Sequence, residues 1–196
     1  MNTAPAIHAG AVLVGETGIL VRGPSGSGKS SLVLALMTLR PATAWLVADD
    51  RVILAVAHGR LVAAAPPAIA GLIEVRGQGI LHRPHVSPVV IRVVVDLAPA
   101  GTVERLPEPS TAVADILGVT LPRLALPPGI ADGAARVLAR VAALTQEMAD
   151  YKDSKASCVA ESIGQDTAFG AAGGAGRDGR RDAVAGRRGI GRRSGT

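Results

Sequence analysis

Apolar residues in this chain come in short runs cut by glycine, proline and charged turns. Residues 9–14 and 18–22 are two such runs with Gly15-Glu16-Thr17 between them, the spacing of a tight hairpin. Residues 31–39 follow as an unbroken set of helix formers, ended by Arg40-Pro41-Ala42-Thr43. Residues 44–48 form a further apolar strand, which closes on Asp49-Asp50. Strand, helix and strand within about 30 residues predict a parallel, right-handed βαβ unit. Residues 51–56 and 61–64, either side of His58-Gly59-Arg60, predict a second hairpin. Residues 88–97 are the most β-rich run, a central strand interrupted only by Arg92. Residues 103–107 make a short polar element, and residues 121–128 a short strand closed by prolines. Residues 130–149 lack proline and carry Ala, Val and Leu on a helical period, so they predict a closing helix. From Lys152 onward the pattern dissolves.

Composition changes this picture in two ways. Hydrophobic residues make up 48 % of the 196, but aromatics only 2 %, namely Trp45, Tyr151 and Phe169, so the core must be aliphatic. Cys158 is the single cysteine, which excludes an intrachain disulfide and points to a cytoplasmic setting. No run approaches the roughly 20 apolar residues of a membrane span, and the N-terminus lacks the basic region of a signal peptide. The net charge of +5 is unevenly held: residues 151–196 carry +4 and residues 1–150 only +1. A nearly neutral body argues against nucleic acid as its partner. The expected organisation is one α/β domain over residues 1–150 and a basic Gly/Ala/Arg-rich tail over 151–196. The tail has too few large apolar side chains to offset its ordering entropy and is expected to be disordered.

The chemistry concentrates in Gly23-Pro24-Ser25-Gly26-Ser27-Gly28-Lys29-Ser30, which fits the P-loop pattern G-x-x-x-x-G-K-[ST]. It lies between a predicted strand and a predicted helix, the context this pattern needs. Its glycines let successive N–H groups turn inward toward phosphate oxygens, and the helix N-terminus adds unpaired donors. Lys29 is placed to reach the outer phosphates of ATP, and the Ser30 hydroxyl to ligate Mg²⁺. Asp49-Asp50 at a strand end resembles a Walker B site; because strand neighbours point to opposite faces, only one of the two is expected to face the phosphates. His8 precedes the first strand. Glu74 and Arg76 lie two apart and share a face if extended, beside glycines at 77 and 79.

The order of His8, the P-loop, LVADDRV at 46–52, IEVRGQGIL at 73–81 and VERLP at 103–107 resembles the catalytic domain of the HPr kinase/phosphorylase family, in its short form. The likeness covers residues 5–148. It implies a P-loop α/β core related to phosphoenolpyruvate carboxykinase, with a mixed, largely β-rich sheet and flanking helices. The implied activity is ATP- and Mg²⁺-dependent phosphorylation of a serine on the phosphocarrier protein HPr, reversed in many members by phosphorolysis, and the implied assembly is a homo-oligomer, commonly a hexamer. Position by position, the resemblance makes His8 an active-site histidine and Lys29 the phosphate-binding lysine. Ser30 and Glu74 become Mg²⁺ ligands, Asp50 the base for the serine proton and Arg105 the active-site arginine. Asp49 and Arg76 have supporting roles. Three departures stand out: Ser31 replaces an acidic residue, the helix after the P-loop is longer, and the late Arg/Pro/Gly-rich segment is here Leu126-Pro127-Pro128-Gly129-Ile130, without arginine. The rival readings are a small-molecule P-loop kinase or NTPase, and a nucleotide-sensing module with little turnover.

Overall fold

The computed structural model describes residues 6–166, with side chains through residue 152. The compact unit Met1–Asp150 holds the sheet and the site discussed below. Its strands are β1 (Ile7–His8), β2 (Gly10–Val14), β3 (Thr17–Arg22), β4 (Ala44–Ala48), β5 (Arg51–Ala57), β6 (Arg60–Ala64), β7 (Leu72–Val75), β8 (Gly79–His82), β9 (Val89–Leu97), β10 (Val113–Ile116) and β11 (Val119–Leu126). The helices are α1 (Lys29–Leu39), between β3 and β4, and α2 (Gly133–Asp166), after β11. Nine strands form one mixed sheet in the order β1-β5-β6-β9-β3-β2-β4, with β11 also on β9 and β10 on β11; β7 and β8 are a separate hairpin. The expected mixed, β-rich α/β fold is the one observed.

Both hairpins form as their turns predict. β2 and β3 pair from Gly10↔Val21 to Val14↔Thr17, and β5 and β6 turn through His58 and Gly59, both at positive φ. The βαβ expectation needs one correction. β3 and β4 do run parallel, but β2 lies between them and is antiparallel to each, because the preceding hairpin already occupies that edge of β3.

β9 is the central strand. It pairs in parallel with β3 on one edge; on the other it meets β6 at Val89 and Val90 and then β11 from Val94 to Leu97. Arg92, which interrupts the apolar run, is a bulge: Gly18 is opposite Ile91 and Ile19 opposite Val93. One extra residue swaps the faces. Ile91 therefore belongs to one core, and Val93, Val95 and Leu97 to the other. The close approach requires glycine at 18, since a Cβ there would collide with the Val90 carbonyl oxygen.

The two cores lie on opposite faces of the sheet. One joins Val12, Ile19, Val21 and Val95 to the buried stripe Leu32, Val33 and Leu36 of α1 and to Ala134, Val137, Val141 and Leu144 of α2, the i, i+3, i+7 spacing of an amphipathic helix. The other is built from strands, with Leu20, Val47, Leu54, Leu61 and Val94 at its centre. The buried hydrophobic residues are Ala, Val, Leu and Ile, as the composition requires, while Trp45 stands on the outer strand β4 and is 42 % exposed.

α2 continues beyond the predicted closing helix, so residues 151–166 are helical rather than part of an unstructured tail. Residues 134–163 contain neither Gly nor Pro, and nothing in the backbone stops the helix there. The remainder of the expected tail, residues 167–196, lies outside the described residues. Among the described residues no helix is long and apolar enough to cross a membrane.

Candidate active site

The turn from β3 into α1 is residues 23–28, and its glycines do what only glycine does easily. Gly23, Gly26 and Gly28 have φ of 150°, 77° and 92°. Gly28 caps α1 in the left-handed conformation without a side-chain bond. The first intrahelical bond runs from Leu32 N–H to the Gly28 carbonyl, which leaves the N–H groups of residues 29–31 without intrahelical partners at the positive end of the helix dipole. Ser27 N–H donates to the Pro24 carbonyl at 3.2 Å. The Ser27 hydroxyl is buried there without a hydrogen-bond partner among the described residues.

Lys29 is 7 % exposed and folded back on the loop. Its ammonium donates to the carbonyl oxygens of Gly23 at 3.0 Å and Pro24 at 2.8 Å, and to Nε2 of His8 at 2.8 Å. Burial lowers its pKa below the usual lysine value, opposed by the nearby carboxylates of Asp49 and Asp50. Since Nε2 of His8 accepts, Nδ1 carries the proton and points at Asp50, 3.0 Å from Oδ1 and 3.1 Å from the backbone carbonyl. Lys29, His8 and Asp50 therefore form one hydrogen-bonded chain.

Both acids of the pair reach the site, which corrects the expectation that only one would. β4 ends at Ala48, and Asp50 adopts φ of 61°, so strand alternation no longer governs the two residues. Asp49 is buried; Oδ1 accepts from the Ser30 hydroxyl at 2.8 Å and Oδ2 from the Glu74 N–H at 3.2 Å. The Asp50 side chain is 66 % exposed. Glu74 lies on β7 and Arg76 in the turn that follows, so they do not share a strand face as an extended segment would. Even so, both line the same cleft as Lys29 and Asp50. A side chain at Gly26 would meet the Arg76 guanidinium at 3.4 Å, and Arg76 makes no ion pair among the described residues.

The cleft has a volume of about 620 Å³. Of the predicted site residues, His8, Ser25 through Ser30, Asp49, Asp50, Glu74 and Arg76 line it. Gly23 and Pro24 contribute through their carbonyls on Lys29. Arg105 is exposed and stands outside the lining, in the segment between β9 and β10. Two features were missed. One is an apolar wall from Leu97, residues 126–131, Gly133 and Ala134; sequence reading noted part of that segment only for its missing arginine. The other is a cluster at Asp96, which accepts two bonds from Arg22 at 2.8 and 2.9 Å and one from Arg123, whose Nη1 also donates to the Thr111 carbonyl at 3.0 Å. Burial alone would raise the pKa of Asp96, but the two guanidinium groups outweigh it and hold the carboxyl below its ordinary value. The signal available was a charged residue in each of three neighbouring strands, visible only once their register is known.

Chemically, this arrangement can hold an extended polyanion: glycine-turn N–H groups, a lysine and an arginine surround one cleft. Among the described residues no cluster of three or more His, Cys, Asp or Glu side chains is gathered to hold a metal. The donor set still fits Mg²⁺, which takes one or two protein oxygens and completes its shell with water and phosphate oxygens. In such a shell the Ser30 hydroxyl and the Asp49 or Glu74 carboxylate would supply the protein oxygens.

Fold and site thus define an α/β protein with an anion cleft where a glycine turn enters a helix, faced by carboxylates. The family model "HPr Serine kinase C-terminal domain" matches residues 1–160, and the chain belongs to this family. It is 40 % identical over 78 residues to the HPr kinase/phosphorylase of Clostridium tetani, a match covering 40 % of this chain and 25 % of that protein. It is 37 % identical over 73 residues to the HPr kinase/phosphorylase of Mycoplasma mycoides subsp. mycoides SC, covering 37 % and 22 %. The chain thus matches about a quarter of the length of these curated relatives. The solved structure of the HPr(Ser) kinase/phosphatase from Coxiella burnetii superimposes with a TM-score of 0.62 at 25 % identity, over 78 % of this chain and 97 % of that one.

Proposed function

We propose that this chain is an ATP- and Mg²⁺-dependent protein serine kinase whose acceptor is an HPr-like phosphocarrier protein, working in the cytoplasm. The observation that carries the reading is the Lys29–His8–Asp50 chain, which ends in a carboxylate held by His8 yet two-thirds exposed. A base at the mouth of a cleft suits a hydroxyl presented by a large acceptor. Asp50 takes the serine proton, the serine oxygen forms a bond to the terminal phosphorus, and the bond to the ADP oxygen breaks. Lys29 exchanges the Gly23 and Pro24 carbonyls for the outer phosphate oxygens, and Arg76 adds a second cation beside the loop. Bound at Ser30, Asp49 and Glu74, Mg²⁺ would neutralise phosphate charge. In this reading residues 23–30 are a P-loop; the kinship with phosphoenolpyruvate carboxykinase and the hexameric assembly rest on the resemblance. Light scattering measures the assembly.

The test is to incubate the purified chain with an HPr-like carrier, ATP and Mg²⁺ and to record the intact mass of the carrier. Gain of one phosphoryl group on a serine is expected. ATP turnover with an unmodified carrier would favour a metabolite kinase or NTPase.

The reverse reaction, in which inorganic phosphate attacks the phosphoserine, brings two anions together and calls for added cations. Residues 126–130 supply none, and Arg123 is committed to Asp96 and Thr111. We therefore expect pyrophosphate release from phosphoserine carrier at millimolar phosphate to run well below the forward rate. Equal rates would overturn this.

A further inference from the structure

The cleft has two kinds of lining. One is charged and hydroxyl-bearing, linked by the bonds Lys29–His8–Asp50 and Ser30–Asp49–Glu74 N–H. The other is Leu97, Leu126, Pro127, Pro128, Ile130 and Ala134, which carry no side-chain donor or acceptor. The apolar part is a fixed surface. Leu97 and Leu126 are strand partners, and at Gly133 a Cβ would touch Ile130, Leu32 and Leu126 at 3.1, 3.8 and 3.9 Å. Part of the backbone there is already committed. The two prolines have no N–H, the Leu126 carbonyl is taken by Ala98 N–H, and the Ile130 carbonyl by Gly133 N–H. Asp132, between Ile130 and Ala134, is paired with Arg136 at 2.8 Å, and Asp96, next to Leu97, is paired with Arg22 and Arg123. Among the described residues no aromatic lines the cleft.

Resting on the nucleotide reading above, we infer that this apolar wall receives the nucleobase and selects it by contact alone, so the protein uses purine and pyrimidine nucleoside triphosphates almost interchangeably. The physical ground is an asymmetry of recognition. A site that hydrogen-bonds a substrate rejects an analogue lacking that group by about 10⁴–10⁵, because its buried polar groups go unpaired, whereas an apolar surface discriminates by little more than size. The wall has no buried polar side chain to leave unpaired. The phosphates, held by the glycine turn and Lys29, are common to every nucleoside triphosphate. Affinity then comes from the shared part of the ligand, and the base adds only area.

The experiment is calorimetric titration of the whole chain with ATP, GTP, CTP and inorganic tripolyphosphate, each with Mg²⁺, for wild type and Ile130→Ala. The three nucleotides should bind within tenfold of one another. Ile130→Ala should weaken all three by a similar factor, about three- to tenfold for the lost apolar contact, and leave tripolyphosphate binding unchanged. A preference of tenfold or more for one base, or an Ile130→Ala effect confined to one nucleotide, overturns the inference and leaves the kinase reading standing. Failure of wild type to bind any nucleotide overturns the kinase reading itself and the inference with it.

Discussion

Residues 23–30 and residues 98–112 both bring cations that the family resemblance places at the reaction, and the fold treats them in opposite ways. The first segment joins a buried strand to a helix whose inner face is in the core, so Lys29 is delivered into the cleft and is 7 % exposed there. The second links two strands by a short turn (Ala100–Thr102) and a polar stretch, stitched mainly by Glu104 accepting from Thr111 Oγ1 at 3.0 Å and Glu108 N–H at 3.3 Å. Arg105 is left outside. A side chain set at the end of a packed sheet is positioned by the whole core, whereas one on a polar connection is positioned by whatever it meets next. Asp96 marks the border: through Arg123 and the Thr111 carbonyl it ties the far end of this connection to the strand that enters the glycine turn.

The largest effect should come from Lys29→Ala, which removes the cation aimed at the outer phosphates. Both nucleotide affinity and carrier phosphorylation should drop below detection. Wild-type affinity in isothermal titration would mean that the glycine turn is not the nucleotide site.

Asp96→Asn probes the border between the two regions. Two partly buried guanidiniums would lose their counter-charge, at a cost of about 3 kcal/mol, or roughly 10 °C in melting temperature for a chain of this size. The pH dependence follows from the lowered pKa of Asp96. A carboxyl with a depressed folded pKa contributes stability above the unfolded value, about 3.9, and loses it as pH falls toward the folded value. The gap between wild type and Asp96→Asn should thus be constant near neutrality and close in acid. A gap that persists at the lowest pH at which the chain folds would show that packing, not charge, links the strands.

Arg105→Ala should give the smallest change. Nucleotide affinity should stay within about twofold, because Arg105 does not line the cleft, while carrier phosphorylation slows by about tenfold through weakened encounter with the acceptor. A large loss of nucleotide affinity would erase the distinction between the two regions by showing that the connection closes over the nucleotide.

What could be read from the sequence divides along the same border. The hairpins at residues 15–17 and 58–60, the central strand with its odd Arg92, and the strand, glycine turn and helix around Lys29 are local patterns, each fixed by a few neighbouring residues. So is the aliphatic core. Insertion of β2 between β3 and β4 was not legible, because it depends on which edge of β3 was filled first. Nor was the shared presence of Asp49 and Asp50, which turns on one residue taking a positive φ after the strand has ended. The Asp96 cluster needed the register of β3, β9 and β11, and the apolar wall needed the start of α2 to pack on α1. These are contacts between segments far apart in the chain, and no periodicity announces them.

The central claim is that Asp50, held by His8 and exposed at the cleft mouth, removes the acceptor proton. It is tested most directly by single-turnover transfer from ATP to the carrier with Asp50→Asn, nucleotide affinity being measured on the same sample. The account predicts affinity close to wild type and transfer slowed by about 10²–10⁴-fold, the usual contribution of general base catalysis. Transfer at the wild-type rate would contradict it, and Asp49 could take over as the base only by giving up its bonds to Ser30 and the Glu74 N–H.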